Sequence, residues 1–262
     1  MSRQVCILIC VLAFFGDATA QPWRISGLEN SNRVKLQNDR YFDGNSLWGY
    51  MNGGADLYLE YGFRALRVQD MVVDSQEIRL EIFRMDDPYS SRALYSALAA
   101  GLTDSSWNRP WIFNPYQIQI VFNDCYINIV NFTGSERGLK ACIELSELVG
   151  MRFSRLRIDT PPPLDGNHGQ WQAFFGPLGC RMVASGLEEL LDGLSYSVVW
   201  VQKQNAQRKH KAIIYPQEGK ESLFLSLQGK LSEQFGITEG EGGSLIVEWQ
   251  TAGQKEPGGG LW

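Results

Sequence analysis

The sequence is poor in the residues that most often carry catalysis and metal binding. It contains only two histidines in 262 residues, His168 and His210, and they stand far apart in the chain. Neither belongs to an H-E-x-x-H or H-x-H pattern, which would bring two imidazoles to one metal ion. No C-x-x-C pair is present, so a zinc site built on cysteines is not expected. The sequence thus predicts no metal site and no cofactor.

Motifs for covalent catalysis and nucleotide binding are also missing. The sequence has no G-x-S-x-G elbow, no P-loop and no G-x-G-x-x-G. The stretch "GEGGS" at positions 240–244 precedes a strand-like run, whereas a phosphate-binding loop must open a helix. No catalytic residue is therefore assigned from motifs, and a non-enzymatic protein is the leading expectation.

The charge pattern bears on the class of partner. The formal net charge is −5, and the basic residues are scattered except for one cluster between Lys203 and Lys211. Nucleic acid requires a concentrated basic surface, so a nucleic-acid partner is not expected.

The N-terminus has the layout of a cleavable secretory signal peptide. Arg3 supplies the positive charge, Val5 to Phe15 is an unbroken apolar run, and Ala18-Thr19-Ala20 is an A-x-A cleavage signal. The apolar run is shorter than the roughly 20 residues that span a bilayer. We therefore predict cleavage after Ala20, no transmembrane segment in the mature chain, and a periplasmic or secreted location.

Cleavage after Ala20 leaves three cysteines, Cys125, Cys142 and Cys180. An odd number in an exported protein allows one disulfide and one free thiol. Cysteine also serves as a small buried apolar residue, so three unbonded thiols fit equally well.

Hydrophobic periodicity predicts an α+β protein made of two related halves of antiparallel sheet and helices. Two short spacers, Asp87-Pro88 and Asn123-Asp124, read as a helix start and a hairpin turn. The first half then runs β-β-α-β-β-α, with strands at Arg64–Val73, Glu77–Met85 and both sides of Asn123-Asp124, and helices after Asp87 and Ser135.

The second half repeats the order in shorter form. Strands are predicted at Ser195–Gln204, Lys209–Gln217 and Ser244–Trp249, and a helix at Lys220–Gly236. This repetition predicts an internal duplication whose second copy is incomplete, lacking a partner strand and a final helix. A truncated gene product and a naturally shorter copy both fit that pattern.

A run of three prolines separates the two halves, because prolines in succession cannot continue a helix or a central strand. The predicted organisation is a signal peptide at residues 1–20, a first unit at 21–158, a linker at 159–170 and a second unit at 171–262.

Glycine, aromatic, acidic and amide residues are concentrated in one stretch, "YFDGNSLWGYMNGGADLYLEYGF", residues 41–63. Its spacing predicts a helix over Asn45–Glu60 that ends at Gly62 in a left-handed cap. Two glycines in mid-helix, Gly53 and Gly54, cost roughly 1 kcal/mol each relative to alanine. We therefore expect another backbone or a ligand to approach them closely.

Three interpretations of this segment remain open. In the first, it is a scaffold helix that packs on the sheet. In the second, it lines a ligand site, because aromatic and oxygen-bearing side chains recur along it. In the third, Asp56 and Glu60, one helical turn apart, act as acid and base of a hydrolase on an envelope polymer. The candidate ligand-binding residues are Trp48, Tyr50, Asn52, Asp56, Tyr58 and Glu60.

The same segment resembles a family of uncharacterised exported bacterial proteins that share an Asn-Gly-x-Ala-x-x-Tyr-x-x-Tyr-Gly-Phe core. The matching residues here are Asn52, Gly53, Ala55, Tyr58, Tyr61, Gly62 and Phe63. Met85-Asp86 and the "SRALYS" run that follows are similar as well. The resemblance implies a bacterial periplasmic or secreted protein and brings no catalytic residues. The expected function is binding of a small molecule or an envelope protein.

Overall fold

The computed structural model describes residues 34–98, 111–153, 171–204, 209–230 and 235–250. Within these ranges the chain forms two antiparallel sheets, of six and five strands, with helices packed against them. The α+β class and the division into two antiparallel halves are therefore confirmed. The signal peptide and the linker at 159–170 lie outside the described residues.

In the part of the first unit that the structure describes, there are six strands and four α-helices. The strands are β1 Val34–Asp43, β2 Phe63–Val73, β3 Gln76–Met85, β4 Trp111–Asn114, β5 Gln117–Phe122 and β6 Cys125–Asn131. The helices are α1 Trp48–Met51, α2 Ala55–Glu60, α3 Pro88–Leu98 and α4 Glu136–Phe153. The strands lie side by side in the order β1-β2-β3-β6-β5-β4.

The second unit has the same construction with fewer elements. Its strands are β7 Trp171–Phe174, β8 Tyr196–Gln204, β9 Lys209–Pro216, β10 Phe235–Glu239 and β11 Leu245–Gln250. Its helices are α5 Pro177–Ala184, α6 Glu188–Leu191 and α7 Lys220–Gln228. The strand order is β7-β8-β9-β11-β10, which matches the first sheet strand for strand apart from β4.

The shared unit is longer than the sequence predicts. In each copy a strand and a helical segment come first, followed by a hairpin, a helix and a second hairpin. The last strand of the second hairpin pairs with the second strand of the first hairpin, β6 with β3 and β11 with β9. Both helical segments end at a glycine with positive φ, Gly62 in the first copy and Gly193 in the second. The shared order of elements fits the predicted duplication.

Two details of the second unit correct the sequence prediction. The helix predicted over Lys220–Gly236 ends at Gln228, and Phe235 instead opens β10. Strand β10 pairs with β11, so the partner strand that was expected to be missing is present. As a result β11 lies inside the sheet, between β9 and β10, and β10 forms the edge.

Helix α4 covers one face of the first sheet. That face presents a layer of fully buried aliphatic side chains: Met71, Ile78, Leu80, Ile82, Ile118, Ile120, Ile127 and Ile129. The opposite face packs under α2 and α3, and its core is continuous with the core of the second sheet. The two sheets therefore share one hydrophobic core.

The face of the second sheet away from the Val199, Ile214 and Leu245 side is mixed in character. The strand register places the buried Trp200 beside the half-buried Ile213 and Ile246 on this face. Further along it, Lys211 is half-buried and Glu248 is exposed. In the described residues, no helix takes the place over this face that α4 takes over the first sheet.

Local turn and cap signals appear as predicted. The Asp87 carboxylate accepts hydrogen bonds from the backbone N–H groups of Tyr89 and Ser90, both at 2.8 Å, and so caps α3. Asn123 takes a positive φ of 48° in the turn between β5 and β6. Ser135 accepts a hydrogen bond from the Gly138 N–H at 3.1 Å at the start of α4.

Asn131 fixes the entry to α4. Its side-chain amide is buried and donates to the backbone carbonyls of Pro115 at 2.8 Å and Ser135 at 3.0 Å. Its Oδ1 accepts a hydrogen bond from the Thr133 hydroxyl at 3.0 Å. The sequon Asn131-Phe132-Thr133 therefore presents no free amide for glycosylation.

We expect Asn131→Ala to lower the free energy of unfolding by about 2 kcal/mol, because two carbonyls lose their donors inside the protein. Urea denaturation measures the change, and the exposed Asn45→Ala is the matched control. An equal loss in both variants would contradict this role for Asn131.

Candidate functional site

The signature segment, residues 41–63, does not form one helix. A single 3-10 turn at Gly44–Leu47 leads into α1, and a second at Asn52–Gly54 separates α1 from α2. The break lies at Asn52, whose φ of 48° and ψ of −131° are far from helical values. Asparagine tolerates positive φ better than most residues, and the two glycines after it favour helix poorly. The predicted continuous helix over Asn45–Glu60 is therefore wrong.

Gly53 and Gly54 do not face a close neighbour. Both are exposed, and a Cβ added to Gly53 would meet no atom within 4 Å. A Cβ on Gly54 would meet only Met51, at 3.7 Å. The expectation of a close approach at this pair is wrong, because the glycines follow a break in the helix instead of lying in its middle.

The six candidate residues fall into two groups by their exposure to solvent. Trp48, Asn52 and Asp56 are exposed, whereas Tyr50, Tyr58 and Glu60 are partly buried and contact other parts of the protein. Asn52 lies outside α2, so it does not share a helical face with Asp56 and Glu60.

The two tyrosines lie on the protein's own sheet. The Tyr50 ring packs on Phe42 with centroids 5.0 Å apart, and the Tyr58 ring on Phe83 at 4.6 Å. The Tyr50 hydroxyl donates a hydrogen bond to the Glu81 carboxylate on β3. Burial, followed by the negative charge of Glu81, raises the pKa of Tyr50, which keeps this hydroxyl protonated as a donor. Tyr50 and Tyr58 thus anchor α1 and α2 to the sheet.

Charged and amide side chains next to Tyr50 form further hydrogen bonds between the strands of the sheet. Asp70 accepts hydrogen bonds from Arg40 at 2.8 Å and Arg79 at 2.6 Å. Asn128 donates to Glu81 at 2.8 Å. The side-chain carbonyl oxygens of Asn128 and Gln119 are shielded from solvent and accept no hydrogen bond from the described residues. The cluster therefore connects α1 to strands β1, β2, β3 and β6 through side-chain hydrogen bonds.

Glu60 has a specific partner in the second unit. Its carboxylate accepts hydrogen bonds from the backbone N–H groups of Leu178 at 2.9 Å and Gly179 at 2.6 Å. These groups belong to the first turn of α5, which begins at Pro177 and follows Gly176. Neither residue offers a side-chain oxygen to cap the helix. Glu60 therefore supplies the capping carboxylate from another part of the chain, where the helix dipole also favours a negative charge.

Two glycines make room for this contact. A Cβ on Gly176 would lie 2.6 Å from the Glu60 carboxylate, and one on Gly179 would lie 2.5 Å from the Tyr61 hydroxyl. Gly176 has a φ of −160°, which any residue adopts, so space rather than conformation requires glycine there. The Tyr61 hydroxyl donates to the Ala173 carbonyl at 3.1 Å. Glu60 and Tyr61 thus enter a glycine socket, formed by Gly176 and Gly179, on α5.

A cleft of about 560 Å³ opens on the other side of α5. It lies between α5, α6 and the start of β8. A smaller cavity of about 120 Å³ adjoins it across residues 193–195, which line both. The larger cleft is lined by Phe175, Gly176, Pro177, Cys180, Arg181, Glu188, Glu189, Leu191, Asp192, Gly193, Leu194, Ser195, Tyr196 and Gln217.

The cleft is lined by more acidic than basic side chains. The Nε of Arg181 lies 3.7 Å from a carboxylate oxygen of Glu188, and Glu189 and Asp192 add further carboxylates. Burial raises the pKa of the Cys180 thiol to about 12, and burial also raises the pKa of Tyr196. Both groups are therefore neutral near pH 7. All three cysteines of the described ranges, Cys125, Cys142 and Cys180, are buried free thiols.

Sequence reasoning missed this cleft completely. Its walls come from α5, α6 and the start of β8, and of these the hydrophobic pattern predicts only β8. One local signal was available, because Gly176-Pro177 is a usual start of a helix, with proline at the first helical position. The pairing of Glu60 with that helix was not available, since 118 residues separate Glu60 from Leu178 in the sequence.

Comparisons with known proteins found no family for this chain and only distant structural matches. No protein-family model and no curated protein matches the sequence. Two crystal forms of the protein TP0453, forms III and I, match at 12% and 13% identity. The matches cover 82% and 83% of this chain and, in both cases, 88% of the TP0453 chain, each with a TM-score of 0.27. That score is too low to establish a shared fold.

Two negative results complete the description. Among the described residues, no group of three His, Cys, Asp or Glu side chains is placed to hold a metal ion. In the same ranges, no helix is both long enough and apolar enough to cross a membrane.

Proposed function

We propose that this is an exported, non-enzymatic protein that binds a small ligand in the cleft between α5 and α6. The observation that supports the proposal is the size and lining of the cleft. Its volume of about 560 Å³ falls in the range of ligand sites, roughly 300–1,000 Å³. Phe175, Leu191, Leu194 and Tyr196 line it beside four charged side chains, so the cleft can contact both apolar and polar parts of a ligand.

The signature segment contributes to this site indirectly. Glu60 holds the first turn of α5, and α5 supplies Pro177, Cys180 and Arg181 to the cleft wall. In this proposal Glu60 is a positioning residue, and Tyr50 and Tyr58 fix the helix from which it extends. The exposed Trp48, Asn52 and Asp56 do not line the cleft.

The geometry favours binding over hydrolysis at Asp56 and Glu60. Both oxygens of the Glu60 carboxylate accept backbone hydrogen bonds from α5, so the group is oriented towards the protein's own helix. Asp56 is exposed, and neither Asp56 nor Glu60 lines the cleft or the smaller cavity. An acid and base pair requires both groups to face one substrate.

Thermal-shift screening of the mature chain against sugars, lipids, amines and metal ions tests the proposal. We expect at least one organic compound to raise the Tm, and Ser195→Trp to abolish that rise by filling the cleft. Ser195 is exposed and lines both cavities. The matched control is Ser197→Trp, at an exposed position two residues on that lines neither cavity.

Two results would overturn the proposal. The first is a Tm that no compound in the screen raises. The second is a rise in Tm that persists fully in Ser195→Trp, since that compound would then bind elsewhere.

A further inference from the structure

Strand β10, Phe235–Glu239, forms one edge of the second sheet. In the order of elements it corresponds to β5 of the first unit, since each is the first strand of the second hairpin. Strand β5 is paired on both sides, with β6 and with β4. Strand β10 pairs with β11 on one side, and no strand in the described ranges lies on its other side. Among the described residues, the place that β4 fills in the first sheet therefore has no counterpart in the second.

The hydrogen-bond pattern identifies the backbone groups of β10 that point away from β11. The Gly240 N–H donates to the Ser244 carbonyl at 2.9 Å, at the turn end of the ladder between β10 and β11. Residues along an antiparallel strand alternate between those that bond to the neighbouring strand and those that do not. Counting back from Gly240 in the observed register, Thr238 and Gly236 bond to β11. The three other residues of β10 therefore direct their N–H and C=O groups to the edge of the sheet.

This edge lacks the features that usually keep edge strands of different molecules from pairing. Lysine, proline and bulges are the common ones. Strand β1, at an edge of the first sheet, carries Lys35 and an irregular register between Leu36 and Asn38. The β10 sequence FGITE contains no Lys, Arg or Pro, and its register with β11 is unbroken over five pairs. Gly236 and Thr238 are also exposed, so one face of the strand is open to solvent.

The edge of β10 is complementary to itself. When two copies pair antiparallel about a two-fold axis at Ile237, Ile237 lies opposite Ile237 of the second copy, and Phe235 lies opposite Glu239. These are the three residues whose backbone groups point outwards, so their N–H and C=O groups find partners in this one register. Each Glu239 then lies opposite an aromatic ring, and its charge is already opposed by Lys220 at 2.8 Å. Like charges opposite one another destabilise a strand pair, and within β10 this register has none.

We propose that β10 pairs with β10 of a second copy of this chain, which joins two five-stranded sheets into one antiparallel sheet across a two-fold axis. A second copy is the occupant because its outward backbone groups and its charges match those of the first in a single register. Stable interfaces use roughly 20–30 residues a side, so a contact centred on one short strand gives a weak dimer that forms at high concentration. No residue of β10 lines the cleft or the smaller cavity, so this interface is independent of the proposed function.

Sedimentation equilibrium of the mature chain, from micromolar to millimolar concentration, tests this inference. We expect monomers and dimers in exchange. Ile237→Pro removes an N–H that points outwards and does not bond to β11, so it should weaken dimerisation roughly tenfold or more. The matched control is Ile237→Ala, which also loses the isoleucine side chain but keeps the N–H, and it should still dimerise.

A second variant leaves the core of the protein unchanged. Thr238→Lys alters an exposed side chain and places a positive charge on each copy close to the two-fold axis. It should weaken the dimer, and added salt should restore part of the loss by screening the repulsion. The matched control is Gln228→Lys, which adds the same charge at an exposed position on α7 and should leave the dimer unchanged.

Hydrogen exchange resolved by residue locates the contact. The amides of Phe235, Ile237 and Glu239 should exchange more slowly in concentrated than in dilute protein. The amides of Gly236 and Thr238, which bond to β11 in both states, should not change. A chain that stays monomeric at every concentration would overturn the proposal. So would a dimer that both Ile237→Pro and Thr238→Lys leave intact, or one without this alternating protection along β10.

Discussion

Gly179→Ala is expected to lower the free energy of unfolding by about 3 kcal/mol. The added Cβ would lie 2.5 Å from the Tyr61 hydroxyl and 2.7 Å from the Cβ of Phe174. Neither neighbour has room to move, because both side chains are buried and the Tyr61 hydroxyl is bonded to the Ala173 carbonyl. Overpacking of this kind forces backbone shifts, which here would separate α5 from the signature segment. Urea denaturation of the mature protein measures the loss.

Gly53→Ala is the control for this prediction, and it should have the opposite sign. A Cβ on Gly53 meets no atom within 4 Å, and its φ is not positive. Alanine there restricts the unfolded chain and should raise the stability by about 0.5 kcal/mol. If Gly53→Ala were as damaging as Gly179→Ala, the assignment of the close contact to the glycine socket would be wrong.

The contrast between these glycines shows where sequence reasoning fails. The cost of glycine in a helix suggested a close neighbour at Gly53 and Gly54, and neither position has one. The inference at Gly53 assumed a continuous helix, and the positive φ of Asn52 removes that assumption. The glycines that do accept a close neighbour, Gly176 and Gly179, lie in a part of the sequence with no strong periodic signal.

Local chemistry, by contrast, was readable from the sequence. Alternating hydrophobic residues predicted β2, β3, β8 and β9 to within a residue or two, because hydrophobic and polar residues alternate along a strand that buries one face. Asp87 and Ser135 acted as caps through atoms only two or three residues away. Strand β1 was missed because "VKLQNDRYFD" carries several charges and no clean alternation.

The candidate site was predicted less well because it depends on contacts distant in sequence. Tyr50, Tyr58 and Glu60 were chosen for their residue types and spacing. Each does contact another element, but those elements are β1, β3 and α5 of the folded protein. No local pattern specifies such a partner, so residue choice alone could not distinguish a ligand from the protein's own backbone.

Glu60→Ala is the second large expected effect, a loss of about 3 kcal/mol in the free energy of unfolding. The substitution removes a carboxylate that accepts hydrogen bonds from two backbone N–H groups, at 2.9 and 2.6 Å. Hydrogen bonds to a charged acceptor are stronger than neutral ones, and the partly buried N–H groups would be left without a partner. Asp56→Ala, on the exposed side of the same helix, should change the stability by less than about 0.5 kcal/mol.

Hydrogen exchange can locate the effect at α5. In Glu60→Ala, the amides of Leu178 and Gly179 should exchange faster than in the wild type, whereas Asp56→Ala should leave them unchanged. Glu60→Gln keeps one acceptor oxygen without the charge, so it should fall between these two variants. Unchanged exchange at Leu178 and Gly179 in Glu60→Ala would exclude the cap. Because α5 forms a wall of the cleft, the same variant should also weaken any ligand that Ser195→Trp excludes, although Glu60 never touches that ligand.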